Sequence, residues 1–486
     1  MRTAGVILPI FSIPGNDEGI GTLGECAYNF VDFLFDAKQI CWQILPINHV
    51  KENNSPYSNY SIFAGNIYLI DVKKLVNQSL LDEKSYKKYI NETKNNTSKI
   101  NYNQLKIYKL EVLKLAFKQS FHKLSNHINE FRNENSFWLD DYALYMSLKK
   151  YVFNNEPWQK WDNSIKNRKK VTIEIYNSQL KEHINFFIFL QYIFYEQWFE
   201  LKKYANSKNI KIIGEFPLYC DKDSAEVWAK TNLFELDQEL YDDKKNIYEK
   251  YCLANKVAYN IDNLRKSHHQ FLVNFFYFLN NIYDELIFDN FSHYCKYRFK
   301  NLSENNGEIH ERLGLKDDLF KVINTLPIKF VTTLHDVDFT NNMLETYNLP
   351  VAKVMNRGFY GDNLEICLPH NFSKTDLIYT SDYCFSPLKK WFNNIPRLIK
   401  LDCIKYINHL SHMNFNYAFI IKAYQSAAEK VLVPMQDILN LGRKSAYINM
   451  NKPNKNWSWR MTKKQLKKHI IKQLCAITEL YGRNGK

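Results

Sequence analysis

Acidic residues at the ends of apolar runs are the first candidates for chemistry. Asp289 follows Leu-Ile-Phe at 286–288, and Glu215 closes a run that begins at Ile210. A carboxylate among such neighbours is costly to bury unless it has a partner or a function. We therefore interpret Asp289 as functional, with a structural ion pair or a helix cap as the alternative. Asp223 follows soon after Glu215, and there a helix N-cap by Asp223 or Ser224 explains the pattern equally well.

An aromatic segment comes directly after the second apolar run. Residues 54–60 read Asn-Ser-Pro-Tyr-Ser-Asn-Tyr, and Phe-Ala-Gly-Asn follows at 63–66. The flat ring of Tyr57 near carboxylates would suit the face of a sugar. The Ser-Pro-Tyr turn that begins at Ser55 is weak evidence alone, because such loops are common.

The elements that must position these residues are eight short, β-rich apolar runs separated by helical stretches. Fully apolar strands that alternate with helices indicate a buried parallel sheet, and eight units favour a closed (β/α)8 barrel, an α/β fold. In such a barrel the catalytic groups lie at the carboxyl ends of the strands. The runs cover residues 4–10, 42–47, 210–219, 285–291, 330–334, 352–355, 377–383 and 431–435.

The interval between the second and third runs is far longer than one crossover needs. We expect it to hold an inserted, mostly helical subdomain at about 54–208, within a single barrel domain that spans residues 1–486. Apolar residues three or four apart, from Leu110 through Leu113 and Phe117 to Leu124, predict a helix there.

Composition excludes several classes of protein. The 486 residues are 45% hydrophobic and 24% charged, which is too apolar for a disordered chain. The net charge of +14 is compatible with a nucleic-acid partner. The lysines are scattered, however, and no nucleic-acid-binding signature accompanies them. The densest cluster, Lys463 to Lys472, flanks an apolar stripe and predicts a docked C-terminal helix with one basic face.

Other signals are missing from the sequence. It has no secretory-type start, no apolar run of 18 residues and no paired spacing among its nine cysteines, so we expect a cytoplasmic protein without a membrane partner. No phosphate-binding loop, dinucleotide fingerprint or serine-nucleophile elbow is present. His268 and His269 lack further ligands at metal-binding spacing, so we expect no metal site.

Taken together, the motifs closely resemble those of the amylomaltases, the 4-alpha-glucanotransferases of glycoside hydrolase family 77. The match runs nearly end to end and includes Asp-Ser-Ala-Glu-Val-Trp-Ala at 223–229 and Asn-Trp-Ser-Trp-Arg at 456–460. The other matching segments are 19–24, 42–46, 55–57, 63–66, 137–144, 197–198, 368–371 and 434–437.

The resemblance implies a (β/α)8 barrel with insertions and a retaining transfer of α-1,4-glucan segments between maltooligosaccharides. It implies no metal and no organic cofactor. A retaining transfer needs one carboxylate that attacks the anomeric carbon and one carboxyl that donates and then accepts a proton. A third acid in this family holds the hydroxyls of the distorted donor sugar.

Transferred motif by motif, only one of the three acids is present. Asp289 falls on the nucleophile position. The acid/base glutamate position, counted from Leu326 or back from Pro350, falls on Val331, and the third acid position falls on Cys384. The resemblance thus implies a divergent member of the family with a degraded catalytic site.

The positions around Asp289 also depart from the family's pattern. The family's arginine two residues earlier is Ile287, and its following histidine is Asn290. Scaffold motifs persist, so we expect sugar binding to be retained. The expected binding residues are Ser55, Tyr57, Glu215, Asp223, Trp228, Asn290 and His370.

Two classes of function therefore remain open. One is a barrel that binds maltooligosaccharides with little or no turnover. The other is an active 4-alpha-glucanotransferase in which Asp382, His335 or Asp336 replaces the lost acid/base. A third possibility, nucleic-acid binding, rests on net charge alone.

Overall fold

The structure is a computed structural model that describes every residue except 16, 217–218, 242–252, 290, 305–306, 328, 334–343, 361–364, 411 and 486. Eight parallel strands close into a barrel in its centre. In order around the barrel, each paired with the next and the last with the first, they are β1 (Thr3–Ile7), β13 (Lys430–Pro434), β12 (Leu377–Tyr379), β11 (Val351–Val354), β10 (Lys329–Thr333), β7 (Glu285–Phe288), β3 (Lys211–Phe216) and β2 (Cys41–Gln43).

Each of the eight predicted runs contributes one barrel strand, so the predicted fold class is confirmed. The strands are shorter than several of the runs. The fourth run, for example, extends to residue 291, whereas β7 ends at Phe288. Asp289 therefore stands just beyond the carboxyl end of its strand, where barrel enzymes place their catalytic groups.

Two small antiparallel sheets accompany the barrel. One pairs β4 (Cys220–Asp221) with β6 (Lys256–Val257). The other joins β5 (Gln238–Tyr241), β8 (Lys296–Asn301) and β9 (His310–Leu313).

Helices surround the barrel and fill the long intervals between its strands. Before β3 they are α1 (Glu25–Asp36), α2 (Val72–Asn77), α3 (Glu83–Thr93), α4 (Tyr102–Ser120), α5 (Ser125–Glu134), α6 (Leu139–Tyr151), α7 (Asn163–Lys166), α8 (Lys170–Gln179) and α9 (Lys181–Ser207). After β3 they are α10 (Ala225–Ala229), α11 (Ile261–Lys266), α12 (Gln270–Ile282), α13 (Ser292–Cys295), α14 (Asp317–Ile323), α15 (Leu388–Asn394), α16 (Arg397–Tyr406), α17 (Phe415–Gln425), α18 (Met435–Ile438) and α19 (Lys468–Leu480).

The interval between β2 and β3 holds α2 to α9. The predicted helix around Leu113 is α4, although its last turn ends at Ser120, before Leu124. The long helix α9 packs against α6 and also against α1 and β3 of the barrel. It is therefore part of the barrel's packing as well as of the helical interval. Where an inserted subdomain over 54–208 would begin and end therefore stays a prediction.

The C-terminal stripe forms α19, whose Ile470, Leu474 and Ile477 are buried. The helix docks on α1 and α17. Among the described residues, no helix combines the length and the apolar character that crossing a membrane requires.

A group of ion pairs lies at the amino-terminal end of the barrel. Glu285 is the first residue of β7, and its carboxylate is bonded to Lys430, the first residue of β13, and lies 3.4 Å from the ammonium of Lys211 on β3. Burial alone would raise the pKa of Glu285, but the charges of Lys430 and Lys211 outweigh burial and hold the pKa below its usual value.

We expect Lys430→Met to destabilise the fold by about 3 kcal/mol at pH 7, because breaking a buried pair leaves an uncompensated charge. Thermal unfolding measured against pH checks this. The deficit should shrink as the pH falls toward 4, where Glu285 of the variant is protonated, and Glu285→Met in the same chain should restore part of the loss. An equal deficit at every pH would contradict this assignment of the ion pair.

Candidate active site

The register of the barrel strands places three interior positions in one layer. Glu215 of β3 pairs with Ile287 of β7, and Ile287 pairs with Val331 of β10. Ile213, two residues before Glu215, belongs to the apolar cluster inside the barrel together with Ile287 and Val331. Since residues two apart in a strand share a face, Glu215 also points into the barrel.

Val331 is the third residue of a five-residue strand, not its end. Its side chain is 7% exposed and packs in the interior cluster, against which Tyr383 also packs. The position that the resemblance assigns to the acid/base is therefore apolar and enclosed. No proton can be donated or accepted by this side chain.

Asp289 lies one residue beyond β7 and two residues after Ile287. Its side chain is 6% exposed, and Thr333 Oγ1 of the neighbouring strand lies 3.2 Å from its Oδ1. Burial and the charge of Asp289 raise the pKa of Glu215 to about 8. The two carboxyl groups are thus close enough to influence each other's ionisation.

Tyr57 connects the groups of this site. Its hydroxyl donates to Glu215 Oε1 at 2.5 Å, although the two residues are 158 positions apart in the chain. Burial raises the pKa of Tyr57 well above its usual value, and Glu215, Tyr383, Cys384 and Asp289 add to the rise. The predicted site residues Tyr57, Glu215, Asp289 and Cys384 therefore share one neighbourhood.

Two further tyrosines and a glutamine complete the polar lining. Tyr383 lies 3.4 Å from Glu215 Oε2, and Tyr379 donates to Gln43 Oε1 at 2.9 Å. Hydrogen bonds from Tyr57, Tyr383 and Gln43 lower the pKa of Glu215 but do not cancel the effect of burial. Burial and the charge of Asp289 therefore favour the protonated form of the Glu215 carboxyl.

Cys384, which the resemblance assigns to the position of the third acid, lies five residues after β12. It is buried, and its carbonyl accepts from the amide of Ile448 at 2.9 Å. The segment that leads to it is held by Asp437, which accepts from Thr380 at 2.7 Å and from Ser381 at 2.6 Å. Burial raises the pKa of Asp437 to about 6.

The loop that carries Tyr57 is anchored at both ends. Ser55 Oγ accepts from the amide of Tyr57 at 3.3 Å, so Ser55 holds the turn. Further along, the Gln191 side chain of α9 bonds both the amide and the carbonyl of Gly65. A Cβ at Gly65 would lie 2.0 Å from the ring of Phe194, so this close packing requires glycine.

The segment at 223–228 lies against this loop. The amide of Ala225 donates to Tyr60 O at 2.9 Å, and Glu226 accepts from the Ser61 hydroxyl. The carboxylate of Asp223 bonds Tyr145 and Lys149, both at 2.7 Å. Ser224 stands at the N-cap position of α10, but neither it nor Asp223 makes the side-chain cap that the sequence suggested as an alternative.

Trp228 and His370 have other surroundings. Trp228 is completely buried, with Arg168 over its ring at 4.3 Å and Tyr145 and Trp161 beside it. His370 is exposed, and its Nδ1 lies 2.7 Å from Tyr406 Oη. In the described structure these contacts fix the protein's own elements, and the predicted sugar contacts of both residues, like those of Asp223, stay predictions.

Several candidates fall outside the described residues. They are Asn290, predicted to bind substrate, and His335 and Asp336, two of the three possible replacements for the acid/base. The third, Asp382, bonds Arg357 at 3.0 Å.

Three residues that line the site were not predicted from the sequence. They are Gln43, Tyr379 and Tyr383. Gln43 and Tyr379 are the last residues of β2 and β12, so their position at strand ends was an available signal. The contact of Tyr383 with Glu215 could not be predicted from the sequence, because the two residues are 168 positions apart.

Metal-ligand types come together in one place within the described structure. Glu304, Glu308 and His310 place ligand atoms within 4.8 Å of one another near β9. His310 Nε2 lies 2.7 Å from Glu304 Oε2, and none of the three is buried. An exposed acidic group of this kind is common without a metal ion, and it forms no part of the barrel site.

Comparison with known proteins identifies the family. A family model described as 4-alpha-glucanotransferase, glycoside hydrolase family 77, matches residues 8–240 and 337–466. The match covers well over half of the chain, and the eight-stranded parallel barrel is consistent with it. The chain belongs to this family.

Relatives match over the whole chain. The 4-alpha-glucanotransferase of Clostridium butyricum is 34% identical over 98% of this chain and 99% of its own, and that of Aquifex aeolicus is 31% identical over 99% and 100%. The amylomaltase of Streptococcus agalactiae, solved in complex with acarbose, is 29% identical and superposes with a TM-score of 0.91 over 99% of this chain and 100% of that one.

Proposed function

We propose that this protein binds maltooligosaccharides or other α-1,4-glucans in the barrel mouth and that its glucan-transfer activity is lost or very weak. The observation that carries the proposal is Val331, an apolar side chain enclosed in the barrel interior at the acid/base position. Cys384 at the third-acid position supports it.

The expected loss of rate is large. General acid/base catalysis contributes on the order of 100- to 10,000-fold, and a sugar leaving group departs slowly without a proton. A missing third acid removes further contacts to the distorted sugar, each of which strengthens in the transition state. A chain that lost both groups would retain at most a small fraction of the family's rate.

The extent of the family match supports this view. The matched segments leave out residues 241–336, which contain Asp289, Ile287 and Val331. The segments that shape the Tyr57 loop, by contrast, lie within the match. The part of the chain that the family model leaves unmatched thus includes Asp289 and Val331, whereas the Tyr57 loop and Cys384 lie within matched segments.

Glucan binding is tested by calorimetry with maltoheptaose and acarbose. We expect dissociation constants in the high micromolar range or weaker, because binding must also offset the lost translational freedom of the sugar and the desolvation of its polar groups. Tyr57→Ala should weaken binding severalfold, since it removes a ring and a donor to Glu215. Lys463→Ala, on the distant basic helix region, is the control and should bind as the natural chain does. Absence of any binding to either sugar would refute the proposal.

Turnover is tested separately by incubation with maltotriose and analysis for glucose and longer oligomers. We expect products only after long incubation at high protein concentration. Disproportionation at about ten turnovers per second, an ordinary rate for enzymes, would refute the impaired activity but not the binding.

A second candidate, an active transferase, is favoured by one observation. Glu215 lies near Asp289, and burial together with the charge of Asp289 raises the pKa of Glu215, so the site contains a second carboxyl group that favours its protonated form. We further propose a cytoplasmic protein without cofactor or metal. The eight described cysteines are all free thiols, which suits a reducing compartment.

A further inference from the structure

We propose that Glu215 is the proton donor and acceptor for whatever glucan transfer this protein performs, in place of the acid that Val331 has replaced. The inference rests on the proposed function, since it uses the same glucan site. It places the acid/base on β3, whereas the resemblance assigns this role to the position of Val331 on β10.

The first support is the position of Glu215 in the barrel. It lies in the same interior layer as Val331, with Ile287 of β7 between them. Neighbouring strands are about 4.8 Å apart, so the two backbones are separated by about 10 Å, and side chains that converge on the barrel axis meet over a shorter distance. A carboxyl from β3 can therefore reach the space that a carboxyl from β10 would fill.

The second support is the pairing with Asp289. A retaining transfer requires two carboxyl groups about 5 Å apart, one ionised and one protonated. Asp289 directly follows β7, and Glu215 is the last residue but one of the adjacent strand β3. The two carboxyl groups interact electrostatically. Burial and the charge of Asp289 keep the proton on Glu215 near neutral pH, which is the state that a general acid needs.

The third support is the set of groups around the Glu215 carboxyl. Tyr57 donates to Oε1, and Tyr383 approaches Oε2. In the described structure Glu215 has no lysine or arginine among its hydrogen-bonding or ion-pair partners. Its contacts thus orient the carboxyl without fixing its charge, whereas Asp223 and Asp221 are bonded to lysines.

The reaction balances with these two groups. Asp289 attacks the anomeric carbon as the glycosidic C–O bond breaks, and the leaving oxygen takes the proton of Glu215. This gives a glycosyl ester on Asp289 and a carboxylate at Glu215. An acceptor hydroxyl then attacks the same carbon, its proton returns to Glu215, and the ester bond to Asp289 breaks.

The test compares two donors in the natural chain and in Glu215→Gln. Maltotriose needs a proton on its leaving group, whereas α-maltotriosyl fluoride does not, because fluoride departs as a stable anion. We expect Glu215→Gln to lower maltotriose transfer by about 100-fold or more. Fluoride release should stay within about tenfold when azide is supplied, because azide attacks the glycosyl ester without a base, and α-configured maltotriosyl azide should accumulate only in the variant.

Controls separate the role of Glu215 from the fold and from binding. Glu18→Gln removes another buried carboxyl whose pKa is raised by burial to about 7, in contact with Lys109 and not with the barrel site. It should leave both reactions unchanged per folded molecule. If Glu215→Gln fails to fold, the natural chain decides the matter, since its maltotriose transfer, but not its fluoride release, should decline above about pH 8.

Each other outcome is decisive. Maltotriose transfer that survives Glu215→Gln, or fluoride release without any maltotriose transfer in the natural chain, overturns the assignment. Maltoheptaose binding with neither reaction also overturns it but leaves the proposed glucan binding intact. Absence of both binding and reaction overturns the two together.

Discussion

Adding Ile287→Arg to the double variant Val331→Glu with Cys384→Asp is expected to raise maltotriose disproportionation at least tenfold over the double variant. The double variant alone returns carboxyl groups to two family positions, yet we expect it to gain at most faint activity. Asp289, Glu215 and the two new acids would then crowd one pocket, and like charges raise one another's pKa. The acid and nucleophile roles would not separate.

The arginine supplies what this pocket lacks. Ile287 is 1% exposed and pairs with Glu215 on one side and Val331 on the other. A cation there would keep Asp289 ionised as the nucleophile and would leave the acid from Val331→Glu to carry the proton. An opposite charge within about 4–6 Å lowers a carboxyl pKa by one to three units, which is enough to separate the two roles.

Rates on maltotriose, corrected for the folded fraction by thermal unfolding, measure this effect. Ile287→Lys in the same double variant is the matched control, because lysine supplies the positive charge without the planar guanidinium. It should give part of the increase in rate. Strong turnover in the double variant alone would contradict this prediction. It would show that the two missing acids limit activity and that the arginine is dispensable.

The barrel itself could be predicted from sequence because its strands are short, apolar and separated by helices. The run around Ile213 and the run around Val431 became β3 and β13 with shifts of only a few residues. The ends were harder to place. Asp289 continues an apolar run without interruption, so only the structure shows that its strand stops at Phe288.

The site was predictable only where a motif marks a residue. Asp289, Val331 and Cys384 were assigned by motif spacing, and Asp289, Cys384 and Tyr57 share one neighbourhood. The bond between Tyr57 and Glu215 joins residues 158 positions apart, and no local pattern indicates it. Trp228 illustrates the reverse case, since a tryptophan in a family motif suggests a sugar contact, whereas its ring is enclosed by Arg168 and two aromatic side chains.

Ile287→Arg alone, in the natural chain, is expected to have the opposite effect and to lower residual transfer at pH 8 by about fivefold or more. The pKa of Glu215 is raised by burial and by Asp289 to about 8, so half of the molecules carry the proton at that pH. A cation at position 287, on the strand directly beside Glu215, would lower this pKa by one to three units. The protonated fraction at pH 8 would then fall from about one half to about one in eleven or less.

The pH dependence distinguishes this effect from damage to the fold. At pH 5.5 Glu215 would remain substantially protonated even after a shift of two units, so the natural chain and the variant should differ little in rate there. The alkaline decline of maltotriose transfer should move down by at least one pH unit, whereas release of fluoride from α-maltotriosyl fluoride should not follow it. Misfolding would lower both reactions at every pH. Because the same substitution should help when a carboxyl stands at position 331 and harm when valine stands there, the sign of its effect in the two backgrounds reports which residue carries the proton.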